Sequence, residues 1–253
     1  SFSSLFFLKN RKQKLYKEEL IGFANPKLNS SNNYLINNEL VSNILRSTNK
    51  EVVNNIKKLP ELPNTETELL SISNLVKGKQ KLFLGKDANE FNVRNTNLDS
   101  KFLIFASHAL ISGEIENLYE SGIVLTPTSN LDDVSSENDG LLLEKEILSL
   151  NINSNLTLLS ACNTAVSGNI GNNDSLSGLT KSFFYAGSNN VLSTLWSIET
   201  NSAEFFTKNF FKTITDLNTY AYSVRKTKIN MIKHKQYNHP FYWAPFILAG
   251  LNI

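Results

Sequence analysis

Six short runs of apolar, β-branched and aromatic residues recur along the chain: Leu20–Ala24, Lys81–Leu84, Phe102–Ala106, Leu156–Ser160, Val191–Trp196 and Pro245–Gly250. Most are apolar from end to end instead of alternating with polar residues. An alternating strand buries one face, whereas a strand that is apolar throughout is buried on both. Helical periodicity fills the gaps between the runs. Thr65 and Glu68 have capping-box spacing ahead of Leu69, Leu70, Ile72 and Leu75. Asp174 is placed to cap a helix carrying Leu176, Leu179, Phe183 and Phe184, closed by Gly187. Asn201 with Glu204 opens a third helix with Phe205, Phe206, Phe210, Phe211 and Ile214 on its apolar side, and Tyr220 to Lys235 forms a fourth, basic on one face. The repeated order strand, helix, strand predicts an α/β fold with a mainly parallel central sheet, right-handed crossovers and helices on both sides.

One stretch departs from this alternation. Between Ala106 and Leu156 no long helix is signalled. Gly122–Thr126 reads as a strand, a polar loop follows, and Asp139-Gly140 turns into Leu141–Leu143. This predicts a hairpin or flap inserted between two strands of the sheet. Such loops at the end of a parallel sheet usually carry function.

With 253 residues, 41% of them hydrophobic, the chain has material for a sizeable core, and its net charge of +2 gives no bulk signal for nucleic acid or membrane. The single cysteine, Cys162, rules out an intramolecular disulfide and points to a reducing, cytoplasmic compartment. The apolar start, Ser1 to Leu8, precedes its basic residues, the reverse of a signal peptide, and no run is long enough to span a membrane. Met231 is the only methionine, which suggests a module from a longer parent chain. Residues 1–19 read as an N-terminal arm and residues 20–253 as one domain, with room for two lobes at about 20–98 and 99–253. Asparagine is over-used but scattered, the mark of codon bias and not of a prion-like tract.

In an open α/β sheet, ligands bind at the carboxyl ends of the strands. Two predicted strands end in reactive residues. Phe102–Ala106 leads through Ser107 to His108, and Leu156–Ser160 leads through Ala161 to Cys162. If the strands are neighbours, about 5 Å apart, the two side chains can face each other. A thiol beside an imidazole is a workable nucleophile pair: the imidazole takes the thiol proton and later protonates the leaving amine. Two backbone N–H groups, those of Cys162 and Ala109, are the natural oxyanion donors. Taken singly, a lone cysteine is more often a buried hydrophobe and a lone histidine a structural residue. Their joint placement, with His108 54 residues before Cys162 and Ser160-Ala161 ahead of the thiol, approaches the caspase arrangement.

These residues belong to a longer series. Leu59-Pro-Glu-Leu-Pro63 with Thr65 and Glu68, Phe105-Ala-Ser-His108, Asp139-Gly140-Leu-Leu-Leu-Glu-Lys-Glu-Ile147, Leu159-Ser-Ala-Cys-Asn-Thr-Ala165, Leu179, Phe183, Tyr185-Ala-Gly187, Leu195-Trp196 and His239-Pro-Phe-Tyr-Trp-Ala-Pro-Phe246 follow in order. The chain resembles the CHAT family, caspase- and separase-like domains often found after tetratricopeptide repeats. The resemblance implies a caspase-like fold and a regulated cysteine endopeptidase acting on a protein substrate, with Cys162 as nucleophile and His108 as base. It also implies an upstream repeat region or regulatory partner. The family usually has glycine after the histidine, where this chain has Ala109; if that position needs φ > 0, alanine costs about 1 kcal/mol. An interaction module with weak or lost catalysis is the alternative.

In the relatives the segment after the Leu-Trp strand helps to line the S1 pocket. Here it holds Trp196, Ser197 and Glu199, and Glu199 either selects a basic P1 residue or simply favours the start of the next helix. Asp139 is either a flap residue near the site or a turn residue. His234 and His239 are too few for a zinc site, and no phosphate-cradling glycine loop or Gly-x-Ser-x-Gly elbow occurs, so neither cofactor nor metal is expected. Arg225–Lys235 reads as a solvated helix face, and Phe241, Tyr242, Trp243 and Phe246 as core packing.

Overall fold

A computed structural model of the chain describes residues 15–28, 54–112, 118–128, 135, 137–161, 174–196, 198–214 and 219–250. Nine strands are found among them: β1 (Glu18–Ala24), β2 (Gln80–Leu84), β3 (Leu98–Ser107), β4 (Ala109–Leu110), β5 (Gly122–Val124), β6 (Leu141–Leu143), β7 (Ile152–Ala161), β8 (Asn190–Thr194) and β9 (Phe246–Gly250). The helices are α1 (Pro63–Ser73), α2 (Glu90–Asn95), α3 (Glu144–Ser149), α4 (Asp174–Ala186), α5 (Thr200–Thr213), α6 (Tyr220–Lys233) and α7 (Pro240–Trp243). The six apolar runs are the six strands of one sheet, in the order β2-β1-β3-β7-β8-β9. All pairings are parallel except β8 with β9.

The runs are continuously apolar because both faces of the sheet are covered. Phe102, Ile104 and Ala106 of β3 point to one side, where Leu69 and Ile72 of α1, Phe206 and Phe210 of α5 and Met231 of α6 close over them. Leu103 and Phe105 point to the other, against Leu179 and Phe183 of α4, Ile147 of α3 and Val93 of α2. In-register pairing of Phe23 with Phe83 and Phe105 builds an aromatic ladder across three strands, with ring centroids 4.8 and 5.2 Å apart and planes within 9° of parallel. Gly22 lets α1 lie close on β1, since a Cβ there would overlap the Leu69 side chain.

Several helix starts differ from expectation. Thr65 and Glu68 do not form a capping box. Leu62 is the N-cap and Pro63, with its preset φ, begins α1. The Thr65 hydroxyl donates to the Leu62 carbonyl at 2.7 Å and accepts the Asn25 N–H at 3.0 Å, and the Glu68 side chain is turned into the core. Asn201 and Glu204 do not cap α5 either. Glu199 is its N-cap, and the Asn201 amide donates to the Glu199 carboxylate at 3.2 Å. At the other end of α4, Gly187 closes the helix as expected. It has φ +125°, and Ser188 N–H donates to the Phe183 carbonyl at 2.9 Å.

The inserted segment forms the predicted hairpin and more. β5 pairs antiparallel with β6, and β4 joins as a third strand, giving a small sheet ordered β4-β5-β6. Leu110, Leu118, Val124 and Leu141 pack it on Leu28 and Ile56 in a separate apolar cluster. β6 runs directly into α3, a six-residue helix in a stretch where the sequence signals no long one. Among the described residues no helix is long and apolar enough to cross a membrane, and no group of three or more His, Cys, Asp or Glu is arranged to hold a metal.

Candidate active site

The candidate chemistry sits at the carboxyl ends of the two central strands. β3 and β7 are adjacent and parallel, with Ala106 opposite Ser160 and Ser107 opposite Ala161. The next residue along one chain segment is His108, and along the other Cys162. Parallel neighbours lie about 4.8 Å apart, so the two strands end side by side at one level. Cys162 and Ser197 lie outside the described residues.

His108 is fully buried, and its Nε2 lies 2.7 Å from the Pro60 carbonyl oxygen. A carbonyl can only accept, so Nε2 carries the proton, and in the neutral ring the basic lone pair is on Nδ1. Ser107 steadies the same turn by donating from Oγ to the Val124 carbonyl at 2.5 Å. Sequence reasoning missed Pro60 because its contribution is a main-chain oxygen, which no residue type advertises.

Ala109 is extended within β4, and among the described non-glycine residues only Asn25 has positive φ, at 52°. Alanine in place of glycine is therefore not strained here. Val124 N–H donates to the His108 carbonyl at 2.9 Å while Ala109 lies opposite Ile123. That pattern makes Ala109 and Ile123 a non-hydrogen-bonded pair, which directs the Ala109 N–H away from β5.

Behind the strand ends lies a carboxyl group that the sequence misassigns. Glu68, on α1, is almost fully buried, and its Oε1 accepts the Ser160 hydroxyl at 2.7 Å. Burial raises its pKa to about 7 against the pull of hydrogen bonds from Ser160 and Thr207, and the Glu204 carboxylate pushes the same way as burial.

A second buried acidic group holds the flap. Glu90 Oε2 accepts the Gly140 N–H at 2.8 Å, Asp139 Oδ1 accepts the Leu141 N–H at 2.9 Å, and Glu146 Oε2 accepts the Leu143 N–H at 2.9 Å. Arg94 bridges Glu90 and Glu146 at 3.5 and 3.2 Å. Burial raises the proton affinity of all three carboxyls, and for Glu90 the Asp139 charge adds to it. Asp139 is thus a turn residue, paired with Gly140 at φ +86°.

At the end of β8, Trp196 is about one-third exposed, donates from Nε1 to the Phe241 carbonyl at 3.1 Å and has its ring 6.5 Å from that of Phe241. Glu199 is exposed, and its carbonyl accepts the N–H of Ser202 and of Ala203 at 3.0 and 3.1 Å in the first turn of α5.

Three comparisons bear on this arrangement. The CHAT domain family matches residues 4–251. No curated protein matches the chain. Among solved structures, separase of Saccharomyces cerevisiae in its complex with securin aligns at 2.6 Å resolution with a TM-score of 0.51 and 12% identity, over 98% of this chain and 13% of that one. A second crystal of that complex, at 3.0 Å, gives a TM-score of 0.53 and 15% identity over 99% and 13%. The chain thus spans about 13% of the separase length, and the likeness establishes a caspase-like fold.

Proposed function

The chain belongs to the CHAT domain family, and on that premise we propose that it is a regulated cysteine endopeptidase working through Cys162 and His108. The observation that carries the proposal is the pairing of Ser107 with Ala161, which makes His108 and Cys162 the first residues beyond two adjacent parallel strands. The Pro60 carbonyl supports it by fixing the proton on Nε2.

In this reading Nδ1 of His108 takes the Cys162 thiol proton, and the thiolate attacks the scissile carbonyl carbon. The N–H groups of Ala109 and Cys162 stabilise the oxyanion. The imidazolium, held by its Nε2–H bond to Pro60, then protonates the leaving amine, the C–N bond breaks, and water releases the acyl group. Trp196, Ser197 and Glu199 line the substrate cleft, with Glu199 favouring a basic P1 residue. The substrate is a protein, the compartment is cytoplasmic, and a protein partner or upstream repeat region restrains the activity; a protein partner is in keeping with separase, which is found in a complex with securin.

Two peptide acyloxymethylketones, with Arg or Asp at P1, test this on the wild type and on Cys162→Ala and His108→Ala. The Arg probe labels the wild type, labelling vanishes in Cys162→Ala, and it slows in His108→Ala by about a hundredfold or more. Labelling by the Asp probe alone discards Glu199 as the P1 determinant. Absence of labelling by both, with the proposed partner or repeat region present as well as without it, discards the peptidase in favour of an interaction module.

A further inference from the structure

Pro60 and Glu68 are eight positions apart on one continuous segment, and each touches a different limb of the site. The Pro60 carbonyl holds Nε2 of His108 at 2.7 Å. Glu68, in the second turn of α1, holds the hydroxyl of Ser160 at 2.7 Å, and Ser160 stands two residues before Cys162. The Glu68–Ser160 contact is removed from water, since the two residues are 1% and 5% exposed, and at the other contact the His108 ring is buried while Pro60 itself lies at the surface. A hydrogen bond to a buried group is costly to break, because the partner left behind stays desolvated.

We propose that Glu68 is a positioning residue: with Pro60 it forms a two-point bracket that fixes the end of β7 against His108. The inference rests on the Cys162–His108 reading above. Its chemistry is distinctive in one respect. A buried carboxyl normally faces a cation, but among the described residues the charge acting on Glu68 is that of Glu204 on α5, which opposes its ionisation. Among the described residues the group is therefore not one half of an ion pair. It serves as a hydrogen-bonding hub joining α1, β7 and Thr207 of α5. Glutamine keeps the acceptor for Ser160 and a hydrogen-bonding group beside Thr207. Alanine keeps neither.

Because Cys162 is the only thiol in the chain, its alkylation by iodoacetamide between pH 5 and 9 reads the thiolate directly, with no substrate required. In the wild type the rate titrates below the free-thiol value of about 8.5, and His108→Ala returns it towards that value. Glu68→Ala and Ser160→Ala each slow alkylation at pH 6.5 by about tenfold or more, the size expected of a misplacement near 1 Å. Glu68→Gln stays within about threefold of wild type, and the double alanine variant is no slower than the slower single one, as befits two ends of one link. Circular dichroism checks that each variant is folded. A folded Glu68→Ala with the wild-type profile overturns the bracket. Where Glu68→Ala does not fold, a wild-type profile in Ser160→Ala overturns it instead. A wild-type thiol that titrates near 8.5 and ignores His108→Ala overturns the Cys–His reading and the bracket together, whereas dependence on His108 without dependence on Glu68 or Ser160 overturns the bracket alone.

Discussion

A carboxyl group that folding places out of reach of water takes up its proton more readily than the same group in the unfolded chain. Glu68 does so, from an ordinary 4.5 to about 7. Its contribution to stability is whole below pH 4.5, declines as the unfolded chain ionises while the native group does not, and is gone above about pH 7. The shift corresponds to about 3 kcal/mol over that window. Glu90 and Asp139 shift in the same direction, whereas Glu18, held low by Lys79 and Lys81 against the opposing effect of burial, matters only below that window. Urea unfolding at pH 5 and pH 8 will show a wild-type midpoint that falls with rising pH. Glu68→Gln, which has no proton to lose, will show a smaller fall and will be the more stable of the two at pH 8. A steeper fall in the variant would contradict the assignment of Glu68 as a buried acid.

At the scale of elements, turns are where single positions carry most weight. Gly187 ends α4 at φ +125°, and a Cβ there would collide with the Ile152 carbonyl at the start of β7. Gly187→Ala will cost about 3 kcal/mol or more, a fall in Tm of roughly 10 °C, measured by thermal unfolding. This glycine was legible in the sequence, and so were all six strands of the large sheet: the inner strands write burial on both faces into most of their residues, and the half-buried edges β2 and β9 still carry short apolar runs. The helix starts were less legible. Spacing made Thr65–Glu68 and Asn201–Glu204 look like caps, but Pro63 and Glu199 open those helices, and the core claims the Glu68 side chain. The six-residue helices α2 and α3 left no periodicity to read, being too short to show two turns of a stripe. At the candidate site, the position of His108 at the end of β3 was legible from the apolar run before it, and Ala109 raised a question of strain that its extended backbone answers. Pro60 was not, since a carbonyl oxygen has no residue-type signature, and neither was Ser160 as the partner of Glu68, since their meeting spans 92 positions.

Across the whole molecule, β3 and β7 are the innermost pair of a six-stranded sheet, and β2 and β9 are its edges. Amide exchange will be slowest in β3 and β7 and fastest among the strands in β2 and β9, because an inner strand opens only when the sheet does. The small sheet is attached to this slab through an unusually short joint. β3 ends at Ser107, β4 begins at Ala109, and His108 is all that lies between. The imidazole is therefore set by the angle at which two sheets meet, as a coupling rod is set by the shafts it connects. The acids Glu90, Asp139 and Glu146 with Arg94 pin the far side of the small sheet. One residue thus serves as the hinge between two sheets, and the small sheet can vary along its outer edge while the ends of β3 and β7 keep their register.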